Sequence, residues 1–213
     1  MPDIRAVLFD IGGVIVRLND ITVLGSFNGR TDAPGILAQW LDCPHVRAHE
    51  SGQIDGAEFA RRMVETYAIG CTPEAFLERC IAWHGELFPG VRETLSALKP
   101  HIKSACLSNT STFAWTTAPC CIEAAKLFDV RILSHELGMM KPDPRIYRIA
   151  AERLGEAPEH ILFFDDTERN VTAAKAMGFD AHRVLGFEPA RRILEDYGLL
   201  SSSSAGSSQV SPS

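Results

Sequence analysis

Four short apolar runs, each ending abruptly on polar residues and separated by helical patterns, constrain this chain more than any other feature. The first, Ile4 to Phe9, stops at Asp10 and breaks into Gly12 and Gly13. Ile102 to Leu107 stops at Ser108 and Asn109, Val130 to Leu133 stops at Ser134, and Ile161 to Phe164 stops at Asp165 and Asp166. Continuous apolar runs of this length suit strands buried on both faces, as in a parallel sheet. Between them, Val91, Leu95 and Leu98, and then Ile146, Ile149, Ala150 and Leu154, recur at helical spacing, and a further helix ends near Gly178. A last strand is expected over about Ala181 to Leu185. This alternation predicts an α/β fold, a doubly wound parallel sheet with helices on its faces.

The pattern changes between the first strand and Pro89. Phe59, Met63, Val64 and Tyr67 form one helical stripe, and Phe76, Leu77, Cys80 and Ile81 another. Residues 17–88 therefore read as an inserted all-helical cap, and residues 1–16 and 89–200 as the core. An insertion at that point sits over the carboxyl ends of the strands, where open α/β sheets bind ligands. It is placed to act as a lid. Residues 201–213, SSSSAGSSQVSPS, offer almost nothing to bury and are expected to form a disordered tail.

With 46% hydrophobic residues over 213, the chain can bury a full core. A net charge of -6 argues against a nucleic-acid partner, which usually calls for a basic domain. The absence of a long apolar segment and of a basic, apolar leader predicts no membrane partner and a cytoplasmic location. Six cysteines without CxxC spacing read as reduced thiols. Cys43, His45 and His49 lie close together but lack the second ligand cluster of a zinc finger or ribbon. Apolar cap faces can pack internally or across copies, so both a monomer and a homodimer are open.

The strand ends carry the chemistry. Asp10 can attack phosphorus and form an aspartyl phosphate, dividing one hard displacement into two easier ones. Asp165 and Asp166 are adjacent like charges that call for a cation, and hard oxygen ligands with retained waters suit Mg²⁺. Ser108 can donate to a phosphate oxygen, and Asn109 can orient the attacking carboxylate. Lys141, in GMMKPDP, precedes a proline expected to force a turn and a helix start, which would project its ammonium into the cleft as a phosphate clamp. Taken singly, each is as well read as a turn or helix-capping residue. The weight comes from having all of them at one edge of one sheet.

In VLFDIGGVIV, CLSNT, GMMKPDP and FFDDTERN the sequence resembles the haloacid dehalogenase superfamily, in the subgroup whose helical cap lies between the first and second motifs. The resemblance implies a Rossmann-like core and an Mg²⁺-dependent phosphatase acting on a small phosphorylated metabolite. It makes Asp10 the nucleophile, with Ser108, Asn109, Lys141 and the Gly12 backbone around the phosphate. It places Mg²⁺ on Asp10, the carbonyl of Gly12 and Asp166, with Asp165 acting through water and Asn170 steadying the loop. The departure is Gly12 itself, where the usual phosphatase has a second aspartate that protonates the leaving oxygen and later activates water. General acid or base catalysis is worth roughly 10² to 10⁴ in rate, so its loss favours substrates whose leaving group departs easily, such as sugar 1-phosphates, acyl phosphates and aryl phosphates. The chain resembles bacterial glucose-1-phosphate phosphatases, which also carry glycine there. His49 and the ESGQID segment from Glu50 to Asp55 resemble the same subgroup, and His84 lies near the cap's return to the core; any of them can face substrate, although each reads first as a solvated helix end. Two rival readings use the same scaffold: a 2-haloacid dehalogenase, and a noncatalytic module that binds a phosphate ligand or a protein.

Overall fold

The computed structural model describes residues 3–201, so most of the serine-rich tail lies outside the described residues. Five strands form a parallel sheet: β1 (Ala6–Phe9), β4 (Lys103–Ser108), β5 (Val130–Leu133), β6 (Ile161–Asp165) and β7 (Asp180–Arg183), in the spatial order β5-β4-β1-β6-β7. β1 is central, with Phe9 beside Cys106 of β4 and Phe164 of β6. All four β1 residues are buried. Their alternation divides the core in two: Val7 and Phe9 face one apolar cluster, Ala6 and Leu8 the other. Each fully buried side chain of the size of Phe9 or Phe163 contributes about 1.5–3 kcal/mol.

The first cluster is covered by α5 (Val91–Ser96), α7 (Pro119–Ala124) and α11 (Phe187–Asp196), which supply Val91, Cys121 and Leu194. The second is covered by α9 (Pro144–Leu154) and α10 (Glu168–Ala176), through Tyr147, Leu154 and Val171. The chain leaves β1 toward β4 on one side and later returns to β6 on the other. The strand order thus reverses at β1, which opens a crevice at the carboxyl ends of the strands.

The insertion holds α1 (Ala33–Asp42), α2 (Pro44–Glu50), α3 (Gly56–Tyr67) and α4 (Pro73–Trp83) around their own apolar cluster, including Phe27, Ile36, Phe59, Met63 and Phe76. It is not all-helical as the sequence pattern suggests. Its two ends pair as an antiparallel ribbon of β2 (Val16–Leu18) and β3 (His84–Leu87). The strands are three and four residues long, too short for periodicity to reveal. A pairing between residues about seventy apart has no local signature.

Two short core helices, α6 (Thr112–Thr117) and α8 (Ser134–Leu137), follow β4 and β5 and face the cap. At the turn after α2, Gly52 has φ +71, and a Cβ built there would fall on the carbonyl oxygen of His135 in α8. The Ser134 hydroxyl accepts the Thr110 N–H at 2.8 Å and donates to the Glu50 carbonyl at 2.6 Å. Core and cap are thereby pinned at one turn. The six cysteines are unpaired, and no helix among the described residues is long and apolar enough to cross a membrane.

Candidate active site

The strand ends converge as the sequence pattern predicts. Asp10 follows β1, Ser108 ends β4, Asp165 ends β6, and Asp166 comes next in the chain. Oxygens of Asp10, Asp165 and Asp166 lie within 4.8 Å of one another. Lys141 reaches this cluster from the loop before α9, with its Nζ 2.8 Å from Asp10 Oδ1 and 2.7 Å from Asp165 Oδ2. It also donates to the Leu107 carbonyl at 2.8 Å. The lysine is buried, so three donors are met by three oxygens inside the protein. The helix of this segment begins at Pro144, N-capped by Asp143, rather than directly after Pro142.

Asn109 has a different task from the one expected. Its Nδ2 donates to the Lys141 carbonyl at 3.0 Å, and its Oδ1 accepts the Lys141 N–H at 2.8 Å. The amide oxygen and one amide hydrogen are both spent on one peptide unit, which fixes the side chain against the lysine loop. It holds the lysine loop. Asp10 is oriented instead by the N–H of Ile11, which donates to Oδ1 at 2.7 Å, and by Lys141.

The carboxylates differ in how far they are already satisfied. Asp165 accepts from Lys141, from Asn170 Nδ2 at 3.0 and 3.2 Å, and from the Thr167 N–H at 2.9 Å. Among the described residues, the Asp166 carboxylate accepts only the Thr167 hydroxyl, at 3.0 Å on Oδ1. Its other oxygen faces Gly13, whose φ of +75 and lack of a Cβ admit the carboxylate. Burial raises the Asp166 pKa, with Asp165 adding to the effect. Burial also raises that of Asp10, opposed by Lys141 and reinforced by Asp165 and Asp166. Burial works against the Lys141 charge, but Asp10 and Asp165 outweigh it and hold the ammonium firmly protonated.

Three carboxylates therefore face one ammonium, and the imbalance suits a divalent cation bound through hard oxygens. Asn170 Oδ1, buried beside the cluster, has no hydrogen-bond partner among the described residues. It is a spare acceptor for a water of the kind Mg²⁺ retains.

Above the strand ends lies a cavity of about 130 Å³. Gly12, Ser108 and Asn109 line its floor, Trp40, Phe59 and Trp83 its apolar wall, and His49, Glu50 and His84 its polar rim. The last three are not solvated helix ends. The His49 ring is stacked on Phe59 with centroids 4.3 Å apart, and its Nδ1 faces the Ile54 carbonyl at 3.2 Å. His84 Nδ1 faces the Cys80 carbonyl at 2.8 Å. Packing of the cap on the core turns these residues inward, which helix-end composition does not encode.

Gly12 is not in a left-handed conformation, and a Cβ there would meet only Leu18, at 3.4 Å from Cδ1. The backbone therefore does not demand glycine. The floor of the site lacks a carboxyl at this point although the fold would admit one.

A parallel sheet with acidic strand ends, closed by a helical cap, defines a capped α/β enzyme fold. Residues 4–178 match the haloacid dehalogenase-like hydrolases, and the chain belongs to that family. It is 25% identical over 185 residues to the D-ribitol-5-phosphate phosphatase of Bacteroides thetaiotaomicron, covering 83% of this chain and 90% of that protein. It is 36% identical over 93 residues to a phosphorylated carbohydrates phosphatase of Thermotoga maritima, a match spanning 43% of each. Among solved structures, a HAD family enzyme from Bacteroides thetaiotaomicron in complex with magnesium and inorganic phosphate shares the fold at TM-score 0.70 and 22% identity, covering 84% of this chain and 93% of that one. A dehalogenase does so at TM-score 0.61 and 23% identity, covering 85% and 84%. Fold likeness alone thus spans both chemistries.

Proposed function

We propose that the protein is an Mg²⁺-dependent phosphomonoesterase that works through an aspartyl phosphate on a small phosphorylated metabolite, with sugar 1-phosphates as the first class to test. The observation that carries this reading is the buried Asp10–Lys141–Asp165 arrangement beside Asp166, at strand ends where Ile11, Gly12, Ser108 and Asn109 line a small cavity. Mg²⁺ would be held by Asp10, Asp166 and the Gly12 carbonyl, with Asp165 and Asn170 behind them. When bound, it supplies charge neutralisation at the phosphoryl oxygens.

In this reading the Asp10 carboxylate attacks phosphorus and the ester oxygen departs. Lys141 stays charged beside Asp10, which fixes a cation where negative charge gathers. The Ser108 hydroxyl, at the cavity floor, donates to a phosphoryl oxygen. The aromatic wall of Trp40 and Trp83 suits the C–H face of a sugar ring and excludes water from the departing group. The names of the ribitol-5-phosphate and phosphorylated-carbohydrate relatives point the same way.

The test is phosphate release with Mg²⁺ from p-nitrophenyl phosphate, glucose 1-phosphate and ribitol 5-phosphate, alongside chloride release from 2-chloropropionate. Turnover of phosphate esters that Asp10→Asn abolishes while the chain stays folded is expected. Chloride release without phosphate release would instead make the protein a dehalogenase, and retained activity in Asp10→Asn would remove the nucleophile assigned here.

A further inference from the structure

The acid that Gly12 cannot supply has a counterpart on the opposite wall of the cavity. Glu50 ends α2 in the cap and lines the same cavity as Gly12, Ser108 and Asn109. Its position over the floor is fixed from the core, because Ser134 holds its carbonyl and Gly52, two residues on, lies against His135. Among the described residues, its carboxyl has no hydrogen-bond or ion-pair partner, whereas Asp165 is fully engaged and Asp166 is bonded to Thr167. An unengaged carboxyl in a cavity over the strand ends is free to exchange a proton with substrate.

Resting on the phosphatase reading above, we infer that Glu50 is the general acid and base of this enzyme, reaching the leaving oxygen from the cap in place of the missing floor aspartate. In the first step Asp10 forms a bond to phosphorus, the phosphorus–ester oxygen bond breaks, and Glu50 gives its proton to that oxygen, releasing the alcohol and leaving Glu50 ionised. In the second, water attacks phosphorus and loses its proton to Glu50, and the bond to Asp10 breaks. Phosphate, the Asp10 carboxylate and the protonated Glu50 are thereby restored.

The electrostatics agree with this assignment. Burial, and secondarily the Asp10 charge, push the Glu50 carboxyl up to about 8, while Lys141 and Arg169 oppose them. A neutral carboxyl is the form that can donate. His49 and His84, the other titratable groups on the rim, both have pKa values lowered by burial, which disfavours the protonated form an acid needs. With the acid carried by the cap, protonation is available only when the cap is closed on the core, so leaving-group chemistry and water exclusion are linked. Substrates are then not restricted to those with easily departing groups.

The assay compares wild type, Glu50→Gln and the double variant Glu50→Gln/Gly12→Asp, with Mg²⁺, on p-nitrophenyl phosphate and on glucose 1-phosphate and ribitol 5-phosphate. Glu50→Gln is expected to lower kcat/KM, which reports phosphoryl transfer and departure of the leaving group, by about 10² to 10⁴ on the sugar phosphates and by less than about tenfold on the aryl ester, whose leaving group needs little protonation, while kcat falls on both because hydrolysis of the phosphoenzyme is shared. The double variant is expected to recover part of the sugar-phosphate rate, since the Gly12 backbone admits a side chain. A retained burst of p-nitrophenol from the aryl ester doubles as the check on folding. Equal losses of kcat/KM on both ester classes, no loss on either, or a wild type active on the aryl ester but on neither sugar phosphate would overturn the assignment while leaving the phosphatase reading intact. A wild type that releases phosphate from no ester would overturn both.

Discussion

The floor of the cavity is built from strand ends whose positions the parallel ladder dictates, whereas its roof depends on how a separate helical cluster is turned and docked. Asp10, Ser108 and Asp165 come from three adjacent strands, and the registers of β1 with β4 and β6 bring them to one edge. Lys141 joins them by a buried network in which its ammonium meets Asp10, Asp165 and the Leu107 carbonyl. Glu50, His49 and Trp40 belong to a cap with its own core, tied to α8 through the turn at Gly52. The floor is rigid because moving one member strands a buried charge. The roof is joined to the core at the turn from Glu50 to Gly52, outside the sheet ladder.

That difference is broken most directly at Lys141. Replacing it with methionine keeps most of the apolar stem but leaves Asp10 and Asp165 facing each other without their shared cation. Removing one partner from a buried ion pair costs about 3–5 kcal/mol, and urea unfolding should register a loss of that size together with loss of phosphate release. A loss below about 1 kcal/mol, the range of a surface pair, would mean that the floor tolerates charge imbalance and is not the rigid half.

The floor was also the legible half. An apolar run that stops on an acid announces both a buried strand and the residue at its tip, and order along the chain then assigns the tips to one edge. The task of Asn109 escaped because its partner, the Lys141 peptide, is 32 residues away, and a turn asparagine looks the same whichever backbone it binds. Glu50 and His49 escaped for a related reason. ESG at a helix end is ordinary solvated composition, and only the docking of α2 on α8, across the 84 residues separating Ser134 from Glu50, turns it inward. The β2–β3 ribbon was hidden because its two ends are short, and HGEL is too polar to read as a strand.

Gly52→Ala sharpens the comparison from the roof side. The added methyl meets the His135 carbonyl, and φ of +71 is strained for alanine. The expected destabilisation is about 1–3 kcal/mol, smaller than at Lys141. Its functional signature should be a rise in KM and a fall in kcat on sugar phosphates, because Glu50 and the aromatic wall move together. An unchanged kcat with unchanged stability would show that the cap is held elsewhere.

The smallest expected effect lies at His49, and it tests whether the roof is as dry as its packing implies. Burial lowers its pKa from 6.5, against the opposing influence of the Ile54 carbonyl and Asp55. The unfolded chain therefore binds a proton at a pH where the folded chain still holds His49 neutral. Stability rises with pH through that window, is fully present above about 6.5, and is lost as pH falls toward the folded value. His84, lowered by burial as well, adds to the slope in the same direction. His49→Gln should flatten part of the dependence of unfolding free energy on pH between about 5 and 7, and the His49 ring should titrate below 6.5 when followed by NMR. A ring titrating at or above 6.5 would mean that water reaches it beneath Phe59. The cap would then be a loosely docked roof, while the buried floor beneath it would be unaffected.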